Sequence, residues 1–191
     1  MGRGRRPLRR TRPPYRHTAL DLLPRLLAGE RTQLRDEPGE PAVELAPSAP
    51  MPPVWVGNAS AAAIRRAARL GDGWFPSLIS PAELAEGQKR LTELATEHAR
   101  PTPVIAIGGT SALGTTPGTP SRQEIAAGIA NAYDRPLADV TDIPLTGHPK
   151  EAAEHLAAYR DAGATAAIIG IAGGDWRAQV DLLAETRHLL Q

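Results

Sequence analysis

The chain has 191 residues, enough for one substantial core but short of the roughly 250 that a closed eight-fold (β/α) barrel usually takes. Its 41% hydrophobic and 23% charged residues match the globular norm, which excludes wholesale disorder, collagen-like repeats and coiled coils. With no cysteine there is no disulfide framework, thiolate metal site or cysteine nucleophile, and a reducing, cytoplasmic location is expected. No apolar stretch approaches the roughly 18 residues of a membrane span, so no membrane partner is expected either.

The formal net charge of +1 conceals an asymmetry. Residues 1–16 hold seven arginines, including the pairs Arg5-Arg6 and Arg9-Arg10, and no acid; the remaining 15 basic and 21 acidic residues make a body of −6. With Pro7, Pro13 and Pro14 and no apolar face, this segment reads as a disordered arm rather than a nucleic-acid grip. A twin-arginine export signal is not expected, because Pro13, Pro14, Asp21 and Pro24 interrupt the apolar region it needs.

In chain order, Leu20, Leu23, Leu26 and Leu27 recur at helical spacing and predict a helix over 17–29, with Gly29 as its stop. Residues 30–53 are charged and Pro-rich, a long connection with one short strand at 43–45. From there, apolar runs alternate with amphipathic ones. Strands are predicted at 54–57, 73–75, 104–107 and 166–171, and helices at 61–70, 80–98, 122–133, 149–162 and 176–190. Residues 108–120 read as a Gly/Thr/Pro loop. Strands apolar on both faces and separated by helices predict an α/β fold with a parallel sheet: four strand–helix units, either half of a barrel or a small open sheet.

Gly57, Asn58, Ala59 and Ser60 turn a strand directly into a helix. Such a turn offers unpaired backbone N–H groups, a hydroxyl and the positive end of a helix dipole, which suits an anion; the alternative is that Ser60 or Asn58 only caps the helix. Residues 108–111 are favoured as a flexible turn, Asp175 as a helix cap, Asp72 as a turn residue, and Trp55 and Trp74 as core before ligand wall. The five histidines lack the spacing of a metal cluster, so no metal is expected. Neither a Gly-x-Ser-x-Gly elbow nor a phosphate loop nor a dinucleotide fingerprint occurs.

The run Pro52-Pro53-Val54-Trp55-Val56-Gly57-Asn58-Ala59-Ser60, followed by Leu70-Gly71-Asp72-Gly73-Trp74-Phe75, resembles the luciferase-like monooxygenase family. The likeness continues through Gly147-His148-Pro149, Tyr159, Gly163 and Gly174-Asp175-Trp176, covers roughly residues 17–191, and is to the C-terminal part of the family only. It implies a partial (β/α)8 TIM barrel, roughly the C-terminal four strand–helix units, over residues 17–191 behind an arm of residues 1–16. It also implies an oxidoreductase or monooxygenase acting on a small organic substrate with flavin mononucleotide (FMN) or the deazaflavin coenzyme F420. By the same resemblance Gly57, Asn58, Ala59 and Ser60 hold the cofactor phosphate, and Gly73, Trp74 and Phe75 lie beside its ring system; no catalytic residue is assigned. The family's first four units have no counterpart in this reading. The rival expectation is therefore a catalytically inactive half-barrel that keeps only the phosphate turn, and a homo-oligomer that completes the barrel is expected as a partner.

Overall fold

The computed structural model of the protein describes residues 18–35 and 37–190; the Arg-rich arm of residues 1–16 lies outside them. The described residues form two compact units divided between Pro52 and Pro53. In the first, α1 spans Thr18–Leu27 and tolerates Pro24 internally; the Ala28 N–H still reaches the Pro24 carbonyl at 3.0 Å, and Gly29 ends the helix with a φ of 78°. β1 (Thr32–Gln33) pairs antiparallel with β2 (Ala42–Val43), Thr32 opposite Val43. Two residues are too few to show a period, so only β2 is anticipated, displaced from the expected 43–45, and β1 carries no signal of its own.

The second unit alternates strands and helices: β3 (Trp55–Gly57), α2 (Ala61–Leu70), β4 (Gly73–Phe75), α3 (Pro81–Glu97), β5 (Val104–Leu113), α4 (Arg122–Tyr133), α5 (Leu137–Val140), β6 (Leu145–Gly147), α6 (Pro149–Asp161), β7 (Ala166–Ile171) and α7 (Trp176–Leu189). All pairings among these five strands are parallel. β5 is the spine of the sheet. Its odd residues point to one edge, where the Ile105 and Ser111 carbonyls accept the Thr165 and Ala172 N–H groups at either end of β7, each at 2.8 Å. Its even positions point to the other edge, where the Val104 N–H meets the Asp72 carbonyl and the Gly114 N–H meets that of Gly147. β4 and β6 therefore follow one another along a single edge of β5, bridged by Ser77 opposite Gly108, and β7 occupies the opposite edge.

These elements correct the expectation of roughly four C-terminal strand–helix units. Among the described residues, seven strands and seven helices run from Thr18 to Leu189, and five of the strands share the parallel sheet. The physical reasons are local. β6 is Leu-Thr-Gly, with a single apolar residue to signal it. β5 runs straight through Gly108-Gly109-Thr110-Ser111, the expected turn, because the glycines there accommodate neighbouring side chains. A Cβ on Gly109 would come within 2.9 Å of the Ile169 side chain, and one on Gly108 within 3.2 Å of the Phe75 ring.

Val56, Trp74, Ile105 and Ile107 point from the strands into a core with Leu84 and Leu91 of α3 and Tyr159 of α6. The fully buried Ala67 and Ala68 lie in the same core, small enough to let α2 approach closely. A second cluster joins Ala112 to Ile125, Ile129, Val140 and Ile143. α3 and α4 start with reciprocal caps, Ser80 with Glu83 and Ser121 with Glu124. The Ser80 backbone N–H holds the Glu83 carboxyl below its ordinary 4.5, and the Ser121 hydroxyl does the same for Glu124. A lowered folded value means that the unfolded chain takes up the proton first as pH falls. The caps' contribution is thus complete above 4.5 and drains away as pH drops through the lower folded values. Melting temperatures of the wild type and of the Glu83→Gln, Glu124→Gln double variant should therefore converge as pH falls below 4.5. Parallel curves would show that these carboxylates do not sustain the caps.

Candidate functional site

β3 ends on Gly57, and Asn58 takes a φ of 83°, a left-handed conformation that asparagine tolerates better than most residues. The Asn58 Oδ1 accepts the Ser60 N–H at 2.8 Å, and the Ser60 hydroxyl accepts the Ala63 N–H at 3.3 Å as the N-cap of α2. Both side chains are thus committed to shaping the turn. Two further N–H groups, those of Ala61 and Ala62, sit in the first helical turn without an intrahelical acceptor, at the positive end of the dipole and with no acid in that turn.

Trp74 supports the turn from the helix side. It donates its indole N–H to the Asn58 carbonyl at 2.9 Å, is fully buried, and lies so close to Gly87 of α3 that a Cβ there would collide with its ring. Side chains alternate along a strand, so Gly73 and Phe75 face the opposite side of the sheet. There the Trp55 ring covers Gly73 at a distance no Cβ would permit, and the Phe75 ring lies against Gly108 near the Ser77 hydroxyl. The residues singled out in the sequence therefore divide. Gly57, Asn58, Ala59 and Ser60 make one turn, Trp74 stands behind it, and Gly73 and Phe75 line the other face.

Between α2 and α3 a cleft of about 550 Å³ is lined by Ala59, Ile64, Trp74 and Ile79 and rimmed by Glu83, Glu86 and Arg90. Two carboxylates against one guanidinium make that rim a poor phosphate site. Asp72 accepts the Val54 N–H at 2.8 Å and lies 3.7 Å from the Arg100 guanidinium, which ties it to the start of β3, away from the turn. Asp175 caps α7 by accepting the Ala178 N–H at 2.9 Å.

Two buried polar side chains, those of Gln179 and Tyr159, make hydrogen bonds that the sequence did not signal. Gln179 of α7 accepts the Leu113 N–H at 2.8 Å and donates to the Leu113 carbonyl at 2.7 Å, closing off the end of β5. A lone glutamine in an amphipathic helix carries no signal for this. The Tyr159 hydroxyl donates to the Ile79 carbonyl at 2.7 Å; burial, then the Glu83 charge, pushes its phenol up to about 12, so it is a neutral tether and not an acid–base group. His155 stacks on it with ring centroids 5.4 Å apart, and burial, then Arg122, lowers its pKa against the opposing pull of Asp142. Among the described residues no group of three or more His, Cys, Asp or Glu side chains could hold a metal ion, and no helix is long and apolar enough to cross a membrane.

The sequence model of a family described as luciferase-like monooxygenase matches residues 7–133. This corrects the expectation that the likeness would be confined to a C-terminal part: the match begins at residue 7, and the elements continue to Leu189, so nearly the whole chain takes part. No curated protein matches the chain. Among solved structures, it is similar to an F420-dependent secondary alcohol dehydrogenase in complex with an F420-acetone adduct. The TM-score is 0.69 at 12% identity, over 91% of this chain and 60% of that one. It is also similar to the coenzyme F420 dependent tetrahydromethanopterin reductase from Methanopyrus kandleri (TM-score 0.64, 12% identity, 88% and 61% covered). A third likeness is to the monooxygenase RslO1 from Streptomyces bottropensis (TM-score 0.64, 19% identity, 90% and 58% covered). The chain thus spans about three fifths of the length of the solved structures it matches, and at these identities the likeness is one of fold, a partial (β/α) barrel.

Proposed function

We propose, from the premise that this chain belongs to the luciferase-like monooxygenase family, that it is an FMN- or coenzyme F420-dependent oxidoreductase or monooxygenase acting on a small organic substrate. The observation that carries this reading is the family match itself, which takes in Gly57 to Ser60 and Gly73 to Phe75. Similarity to F420-dependent enzymes and to a monooxygenase supports the cofactor class.

The residues fit such a group. In this reading the Ala61 and Ala62 N–H groups meet the cofactor phosphate, Asn58 and Ser60 hold the turn that presents them, and Trp74 fixes the turn by gripping the Asn58 carbonyl. Phe75 and Trp55, whose rings lie over Gly108 and Gly73, offer an apolar surface to a planar ring. When bound, a flavin or deazaflavin supplies hydride or oxygen chemistry; the protein contributes binding, orientation and exclusion of water.

Titration of the purified chain with FMN and, separately, with coenzyme F420, read by quenching of cofactor fluorescence, tests the reading. Saturable binding of one of them is expected, followed by reduction of that cofactor by a suitable hydride donor. No binding of either at about 100 μM, a free energy of about −5.5 kcal/mol, would overturn it. Binding without turnover would favour the rival reading, a chain that keeps only the phosphate turn. The Asn58→Ala, Ser60→Ala double variant is expected to weaken binding by roughly 1–3 kcal/mol while remaining folded by circular dichroism. Unchanged affinity would place the phosphate elsewhere.

A further inference from the structure

β4 does not end its contact with the sheet at Phe75. Ser77 still bridges Gly108 in parallel register, and the alternation that puts Gly73 and Phe75 on one face puts Ser77 there too. Its hydroxyl and the Phe75 ring converge over the bare backbone of Gly108: a Cβ there would meet the Phe75 Cζ at 3.2 Å and the Ser77 Oγ at 3.7 Å. Trp55, 46% exposed, lies over Gly73 on the same face. A polar group therefore stands at the end of an aromatic surface, on the face opposite Trp74.

Ser77 is free while the residues around it are held. Of the five serines from residue 53 onward, Ser60, Ser80, Ser111 and Ser121 commit their hydroxyls to protein partners. Ser77 is exposed, and its hydroxyl makes no hydrogen bond among the described residues. Its neighbours are fixed. Pro76 is fully buried, and the carbonyl of the buried Ile79 accepts the Tyr159 hydroxyl from α6 at 2.7 Å. Between them Leu78 takes a φ of 57°, a left-handed conformation that strains a leucine, and packs against the cluster that holds Ala112, Val140 and Ile143. That break in the extended run comes directly after Ser77, which makes Ser77 the last side chain of β4 on the Phe75 face. Strain of this kind persists only where surrounding contacts over-determine it, and it clusters at ligand sites.

We propose that Ser77 orients the ligand of this face: its hydroxyl hydrogen-bonds the polar edge of a planar ring lying against Phe75 and Trp55. The inference rests on the cofactor reading above and adds to it a residue that binds the ring rather than the phosphate. Apolar contact with aromatic side chains leaves the rotation of a ring in its own plane undetermined; one hydroxyl at the end of the surface fixes it. Flavin and deazaflavin both carry carbonyl and N–H groups on one edge, and a serine hydroxyl donates to the first and accepts from the second.

Titration of the full 191-residue chain with FMN and with riboflavin, which has the same ring and no phosphate, separates this contact from the phosphate turn. Coenzyme F420 and the deazaflavin alcohol that lacks its phosphate form a second pair. For both members of the pair that binds, Ser77→Ala should raise the dissociation constant about fivefold, the scale of one lost hydrogen bond, and shift the visible absorption band of the bound ring. Ser77→Thr keeps a hydroxyl on a residue suited to extended backbone and should restore affinity and spectrum. The Asn58→Ala, Ser60→Ala variant should instead weaken only the phosphate-bearing member. If the phosphate-free member binds too weakly to measure, the affinity and spectrum of the other still decide. A wild-type chain that binds neither pair overturns the cofactor reading and this inference with it. Binding that Ser77→Ala leaves within about twofold and spectrally unchanged, or that Ser77→Thr weakens as much as Ser77→Ala does, overturns the inference alone.

Discussion

Trp74→Ala is expected to lower stability by about 3–5 kcal/mol, the range for removing a fully buried aromatic side chain, and to lower the melting temperature by roughly 10 °C. The indole lies in the main core with Leu84 and Leu91, and its ring fills the space that Gly87 leaves by having no Cβ. Helices α2 and α3 pack around that volume and cannot collapse into it without moving off β3 and β4. The loss reaches the candidate site as well, because the Asn58 carbonyl gives up its indole donor and the turn at positive φ loses a support. Trp74→Phe keeps most of the volume and removes the donor, so it should cost about 1–2 kcal/mol while weakening cofactor binding nearly as much as Trp74→Ala. Urea denaturation midpoints measure the first effect and the cofactor titration the second. A Trp74→Ala midpoint within about 1 kcal/mol of wild type would show that the indole is not what spaces α2 from α3.

The same tryptophan shows where the sequence was legible. Val54 to Val56 announces a strand by its apolar run, and Ala61 to Leu70 a helix by its periodicity and by Gly71 at its end, so the turn between them could be placed to the residue. What the turn does with its polar atoms could not be read, because Asn58 and Ser60 are as apt to cap a helix as to bind an anion, and here both side chains are occupied in capping. The side on which Trp74 falls was implicit in the two-residue period of a strand: with Gly73 and Phe75 on one face, Trp74 must take the other. Tertiary context decided the remainder. Nothing in Leu145-Thr146-Gly147 marks a strand until β5 stands beside it, and Gly108-Gly109 reads as a turn until Phe75 and Ile169 are seen lying against it.

Gln179→Met is expected to cost about 2–5 kcal/mol although it preserves the shape of the side chain, because it strands two buried backbone groups at once. Along the edge of β5 that faces β7, the odd-numbered residues present their N–H and C=O groups outward, and β7 satisfies them as far as Ser111, whose carbonyl takes the Ala172 N–H. The next pair on that edge belongs to Leu113, where β7 has already ended. Gln179 occupies the position a further β7 residue would have held, and its amide oxygen and nitrogen serve the Leu113 N–H and carbonyl in turn. Gln179→Glu should do at least as much damage. Its carboxylate still accepts the N–H but has no donor for the carbonyl, and it buries a charge. The amide of Leu113 provides a local readout: its hydrogen exchange should be protected in the wild type and fast in Gln179→Met, with that of Gly114, which bonds to the Gly147 carbonyl on the opposite edge, much less affected. If Leu113 stays protected in Gln179→Met and the denaturation midpoint moves by less than about 1 kcal/mol, the end of β5 is held by something other than this side chain.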